Sequence, residues 1–183
     1  MAGSSAVFLD RDGTIIVDQD YPGDAERVRL LPGAAGAVAR FNREGIPVLV
    51  VTNQSGIGRG LITEAQFRAV QARMESLLEE AGARVDEVLF CPHSPDQSPP
   101  CECRKPATGL YRQAARERGL DLGRSVYIGD RLRDVLPALE LGGEGYLIEG
   151  TEPDAVAAPP PGIRVVKSLA EATDLVLAGR VAD

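Results

Sequence analysis

Asp10-Arg11-Asp12 places two carboxylates around one arginine near the start of the chain, and Asp130 and Asp134 form a second acidic pair far downstream. Asp10, Asp12 and Asp130 gathered in one place would repel one another unless a divalent cation lay between them, and Mg²⁺ prefers such hard oxygen ligands. A site of that kind could hold a phosphate dianion only with added positive charge. Lys105 can supply it, with Arg59, Arg104 and Arg131 as further candidates. Lys105 is one of only two lysines against eighteen arginines, which points to a need for a compact point charge there. From Cys101 to Asp134 there are eight Lys or Arg against five Asp or Glu, a local +3 within a chain of net charge −7.

A second constellation lies just upstream of the lysine. Cys91-Pro92-His93 and Cys101-Glu102-Cys103 bring three thiols and one imidazole within thirteen residues. A Cys₃His set suits tetrahedral Zn²⁺, and four protein ligands leave no open position for water, so such a site would be structural. Buried or reactive thiols beside a surface histidine are the alternative, but the chain's whole supply of Cys and His falls in this one loop. With Pro92, Pro95, Pro99 and Pro100 the loop lacks regular backbone bonding, and it leads directly into Arg104-Lys105. A metal clip would hold those cations in place.

The elements that must position these groups are short apolar runs alternating with amphipathic ones. Strands are predicted at 7–9, 48–51, 87–90, 126–128 and 146–148, with an apolar pair at 165–166 after the prolines, and helices at 34–44, 63–81, 110–118, 132–141 and about 168–178. Thr63 and Gln66 have capping-box spacing. Continuous apolar strands alternating with helices indicate an α/β doubly wound parallel sheet covered on both faces. Its ligands would bind at the carboxyl ends of the strands. Those ends deliver Asp10 to Thr14, Thr52 to Gly60, Cys91 to His93, and Gly129 to Arg131 with Asp134 beyond. Taken alone, an Asp-x-Asp pair is often a turn or cap, Thr52-Asn53 could be a plain turn, and Arg112, Arg116 and Arg118 read as a solvated helix face. The ordered set of acids, hydroxyl, lysine and acids outweighs those separate readings.

Composition narrows the classes. At 183 residues, 44% hydrophobic and 26% charged, the chain is expected to be one globular domain over 1–183. Its acidity argues against nucleic-acid or anionic-membrane partners. The longest apolar run, 46–51, is far below the roughly 20 residues of a membrane helix. No signal peptide is evident, so a cytoplasmic protein is expected, and with no apolar seam a monomer is expected.

Phe8-Leu9-Asp10-Arg11-Asp12-Gly13-Thr14, Thr52, Lys105 and Gly129-Asp130-Arg131 through Asp134 resemble the four motifs of the haloacid dehalogenase superfamily of phosphotransferases. The resemblance implies that Asp10 is the nucleophile that forms an aspartyl phosphate and that Asp12 is the general acid and base. It implies that Thr52 binds the transferring phosphoryl group and that Lys105 neutralises it. Mg²⁺ would be held by Asp10, the Asp12 carbonyl and Asp130, with Asp134 orienting Lys105 or a metal-bound water. The metal loop ending in Cys103-Arg104-Lys105-Pro106 is similar to that of the cap-less branch of the superfamily that acts on heptose 1,7-bisphosphate or histidinol phosphate. Thr52-Asn53-Gln54-Ser55-Gly56-Ile57-Gly58-Arg59-Gly60 and the pair Asp18 and Tyr21 favour the heptose type. The implied substrate is thus a small phosphorylated sugar that loses its C7 phosphate. Asp18, Tyr21, Asn53, Gln54, Ser55, Arg59, Arg104 and Arg131 are implied as its ligands. A non-catalytic phospho-accepting module is the contrasting class, but it would have no use for the general acid Asp12.

Overall fold

The computed structural model describes residues 3–19, 23–96, 99–149 and 159–181. Strands β1 (Val7–Leu9), β2 (Val48–Asn53), β3 (Glu87–Cys91), β4 (Val126–Gly129), β5 (Glu144–Ile148) and β6 (Ile163–Val166) form one sheet. The helices are α1 (Ala34–Arg43), α2 (Ser55–Gly58), α3 (Glu64–Glu80), α4 (Gly109–Arg118), α5 (Leu132–Leu141) and α6 (Leu169–Val181). The strand order is β3-β2-β1-β4-β5-β6, and every pairing is parallel. The chain winds outward from β1 to β3, then crosses back to β4 on the other side of β1. That reversal opens a crevice beyond the carboxyl ends of β1 and β4.

Strand alternation divides the buried side chains between two layers. Val7, Leu9, Val48, Val50 and Ile128 pack with Val38 and Phe41 of α1, Val70 and Met74 of α3, and Ala172 and Val176 of α6. Phe8, Leu49, Val51 and Tyr127 pack with Tyr111 and Ala114 of α4 and Val135 and Ala138 of α5. The rings of Phe8, Tyr111 and Tyr127 meet at centroid distances of 5.1 to 5.3 Å, which fixes α4 over the sheet centre. The predicted doubly wound sheet is therefore observed, with both faces covered.

Differences from the predicted elements are local. β2 continues through Thr52 and Asn53 because these pair with Phe90 and Cys91 of the outer strand, so Thr52 stands inside the strand. The one-turn helix α2 was not expected, since Ser-Gly-Ile-Gly carries little helix propensity. It is held from outside, with Gln54 N–H donating to the Cys91 carbonyl at 2.7 Å and Gly58 N–H to the Pro92 carbonyl at 2.8 Å. The capping box of α3 forms: Thr63 Oγ1 accepts from the Gln66 N–H at 3.1 Å, and Gln66 Oε1 accepts from the Thr63 N–H at 2.8 Å. No helix among the described residues is long and apolar enough to cross a membrane.

Candidate active site

Parallel register sets the first contacts. Leu9 pairs with Val50 and Ile128, so the next residues of the three strands, Asp10, Val51 and Gly129, stand side by side at the sheet's upper edge. Lys105 reaches into this edge from the loop before α4 and is only 2% exposed. Its ammonium donates to Asp10 Oδ1 at 2.5 Å and to the Val51 carbonyl at 2.6 Å, and lies 2.8 Å from Asp134 Oδ1. Three donors meet three acceptors, which is the full capacity of the group. Burial alone would lower the Lys105 pKa, but the Asp10 and Asp134 carboxylates overturn that and hold it well above the ordinary lysine value. Asp134 Oδ2 accepts the Arg131 N–H at 3.0 Å, so this carboxylate both caps α5 and orients the lysine.

Asp10, Asp130 and Asp134 are all buried, and their carboxylate oxygens lie within 4.8 Å of one another. One ammonium cannot balance that charge. Burial, with Asp134 and Asp12 adding to it against the pull of Lys105, raises Asp10 to about 8. A hard dication fits this donor set, because it would offset the surplus negative charge with the oxygen ligands it prefers. The backbone leaves room for close approach. Gly13 has φ +81°, and a Cβ there would lie 2.3 Å from Asp130 Oδ2. The Asp12 carboxylate is outside this cluster, turned instead to Arg11 and Gln54.

Arg11 was not anticipated as part of the site. It is fully buried, and its Nε and Nη2 donate to both Asp12 oxygens at 3.0 to 3.2 Å. Its guanidinium lies 5.2 Å over the Phe67 ring. Gln54 Nε2 donates to Asp12 Oδ2 and to Thr52 Oγ1, each at 2.9 Å. The signal that could have exposed Arg11 is its location: a charge locked between two aspartates at the end of a buried strand must find a partner.

The crevice above these groups encloses about 180 Å³. Asp10, Asp12, Thr52, Asn53, Gln54, Ser55, Asp18, Arg131 and Asp134 all line it. Asn53 uses its amide on the backbone of Lys105, accepting the N–H at 3.0 Å and donating to the carbonyl at 3.2 Å. Arg131 pairs with Asp18 at 2.9 Å across the mouth. Arg59 and Arg104 are not among the lining residues: Arg59 lies 3.6 Å from Asp96, and Arg104 donates to the His93 carbonyl at 3.3 Å. Arg133, absent from the sequence-based set, lines the crevice. Tyr21 lies outside the described residues.

Cys91, His93, Cys101 and Cys103 converge as one cluster with ligand atoms within 4.8 Å of one another. His93 Nδ1 is 3.1 Å from Cys103 Sγ, and Cys91 Sγ is 3.0 Å from Cys103 Sγ and 3.5 Å from Cys101 Sγ. Bonds of about 2.3 Å in a tetrahedral thiolate site put ligand atoms roughly 3.7 Å apart, so the cluster fits zinc with slight expansion. Burial pushes the Cys91 thiol well up. For Cys101, burial is outweighed by hydrogen bonds from Cys103 and Cys91, which bring the thiol down to about 7. The loop docks on Gly58, where a Cβ would come 2.6 Å from the Pro92 carbonyl oxygen.

A family model described as HAD-hydrolase-like matches residues 102–172, and one described as polynucleotide kinase 3 phosphatase matches residues 6–135, well over half of the chain. The chain belongs to the haloacid dehalogenase-like phosphatases. Two relatives within this phosphatase family are D-glycero-β-D-manno-heptose-1,7-bisphosphate 7-phosphatases. That of Mesorhizobium japonicum is 42% identical over 94% of this chain and 81% of its own. That of Bordetella bronchiseptica is 36% identical over 93% of this chain and 97% of its own. The crystal structure of D,D-heptose 1,7-bisphosphate phosphatase from B. bronchiseptica, complexed with magnesium and phosphate, superposes with a TM-score of 0.88 at 35% identity. It covers 96% of this chain and 99% of that one. A HAD-like phosphatase structure from Mesorhizobium loti gives a TM-score of 0.84 at 42% identity, over 97% of this chain and 87% of that one.

Proposed function

We propose that this protein is a Mg²⁺-dependent phosphatase, built as a single domain, that removes the C7 phosphate of D-glycero-β-D-manno-heptose 1,7-bisphosphate. The observation that carries the reading is the buried trio of Asp10, Lys105 and Asp134 at the sheet's switch point, beside Asp130 and below an open polar crevice. The relatives' activity supports the choice of sugar and anomer.

Asp10 attacks phosphorus, the bond from phosphorus to O7 breaks, and Asp12 gives its proton to the departing oxygen. Water then attacks the aspartyl phosphate while Asp12 takes back a proton, releasing phosphate and restoring Asp10. Lys105 stays charged throughout and balances the phosphoryl oxygens, while the Thr52 hydroxyl holds them in line. Asp10, Asp130 and the Asp12 carbonyl would hold Mg²⁺, which supplies further neutralisation of charge on the phosphoryl group. Arg131 and Arg133 offer guanidinium donors to the phosphate that is kept, and the Asp18 carboxylate accepts from the sugar hydroxyls. Zn²⁺ on Cys91, His93, Cys101 and Cys103 would brace the loop that carries Lys105.

The test is kcat/KM for the β- and α-1,7-bisphosphates and for histidinol phosphate on one preparation with Mg²⁺. The β-bisphosphate is expected to lead by at least about 10-fold, a difference of roughly 1.4 kcal/mol in transition-state binding. A preference for histidinol phosphate would overturn the substrate assignment, and full turnover by Asp10→Asn would overturn the mechanism.

A further inference from the structure

Gln54 follows the last residue of β2, two positions after Thr52, and is 5% exposed. Its Nε2 lies 2.9 Å from Asp12 Oδ2 and 2.9 Å from Thr52 Oγ1. A carboxylate oxygen only accepts, so the amide end that meets Asp12 is the NH₂ group. That group has two protons, and this geometry commits one to Asp12 and the other to Thr52. Thr52 Oγ1, by accepting, keeps its own proton to give, and among the described residues no protein acceptor takes it. The residue lines the crevice, so its hydroxyl can turn that proton towards a phosphoryl oxygen held there. Arg11 meanwhile grips both oxygens of the Asp12 carboxylate and so fixes its plane.

We infer that Gln54 is a positioning residue that ties the proton-delivering carboxylate to the phosphoryl-binding hydroxyl through its two amide protons. Both of its donors are engaged within the protein, which leaves only its Oε1 to face a substrate in the crevice. The inference rests on the roles of Asp12 and Thr52 given above. Its consequence is a split between substrate types. An alkoxide leaving group needs the Asp12 proton, whereas 4-nitrophenolate departs without one. The Thr52 contact serves both.

The experiment measures kcat/KM, which reports phosphoryl transfer to Asp10, for the heptose 1,7-bisphosphate and for 4-nitrophenyl phosphate. The variants are Gln54→Leu, Gln54→Glu and Asp12→Asn. Gln54→Glu keeps the side chain's size but cannot donate both bonds, so a loss shared by the two Gln54 variants is not a packing effect. Both are expected to lose about 10-fold on the aryl ester and roughly 100-fold on the bisphosphate, a part of the 10²–10⁴ that general acid catalysis supplies. Asp12→Asn is expected to show the same split more strongly. Equal losses on the two substrates for the Gln54 variants, or changes under twofold, while Asp12→Asn splits them, would overturn the inference alone. If Asp12→Asn fails to split the substrates, the role of Asp12 falls and the inference falls with it.

Discussion

Replacing Lys105 by methionine removes the one ammonium that Asp10, Asp134 and the Val51 carbonyl share. Methionine fills a similar volume, so the loss is mainly electrostatic. Breaking a buried pair by deleting one partner costs about 3–5 kcal/mol, because the remaining charge is left without compensation. That is a large share of the roughly 5–15 kcal/mol available to a domain. The deficit should also depend on pH. Asp10 in the folded protein is already raised to about 8 by burial, above its usual 3.8, so the folded state holds a proton that the unfolded state has lost between those values. Stability therefore falls as pH rises through that window. Without Lys105 the window extends above pH 8, so the deficit is level from pH 5 to about pH 8 and grows from there towards pH 9 and beyond. Urea unfolding of wild type and Lys105→Met at several pH values measures this directly. Phosphatase activity should drop at least about 100-fold, in line with removal of one preorganised charge from a transition state. A deficit below about 1 kcal/mol, or one that is the same at pH 5 and pH 9, would refute the reasoning, since either result means that Lys105 does not neutralise the buried carboxylates.

The remaining predictions concern the metals and the turn between the acids. In metal-free wild type the unfolding midpoint should fall from pH 5 to pH 8, and the stabilisation by saturating Mg²⁺ should be larger at pH 8 than at pH 5, because at pH 5 the cation must displace the Asp10 proton in order to bind; thermal scans with and without Mg²⁺ test both. Gly13→Ala should weaken Mg²⁺ binding by roughly 10-fold or more and cost upwards of about 1 kcal/mol, because the added Cβ would meet Asp130 at 2.3 Å in a backbone of φ +81°. Calorimetric Mg²⁺ titration gives the first number and urea unfolding the second. Cys103→Ser should release zinc, measured by elemental analysis, and lower kcat by at least about 10-fold through misplacement of Lys105, two residues on.

Much of this site was legible because its residues terminate apolar strands. Asp10 follows Val7-Phe8-Leu9 and Asp130 follows Val126 to Gly129, and a parallel sheet with this strand order brings such ends together. The metal-loop cysteines were legible for a different reason: soft ligands this scarce and this clustered have few other uses. What escaped the sequence was side-chain direction. Arg11 reads as a spacer between two aspartates, yet the turn after β1 folds its fork back onto Asp12. Asn53 and Gln54 carry the amides expected of substrate ligands and both line the crevice, but the fold also engages the Asn53 amide with the Lys105 backbone and the Gln54 NH₂ group with Asp12 and Thr52. Arg104 and Arg59 carry the charge expected near phosphate, but neither is among the residues that line the crevice; Arg104 donates to the His93 carbonyl and Arg59 lies beside Asp96. Arg133 stands among other charged residues with no spacing of its own to mark it, yet as the second residue of α5 it lines the same crevice as Asp134.

Phosphorus NMR of the β-1,7-bisphosphate incubated with the protein and Mg²⁺ tests the central claim most directly. The signal of the C7 monoester should disappear while that of the anomeric C1 phosphate remains and inorganic phosphate grows in step. Loss of the C1 signal first, or no phosphate released, would contradict the account.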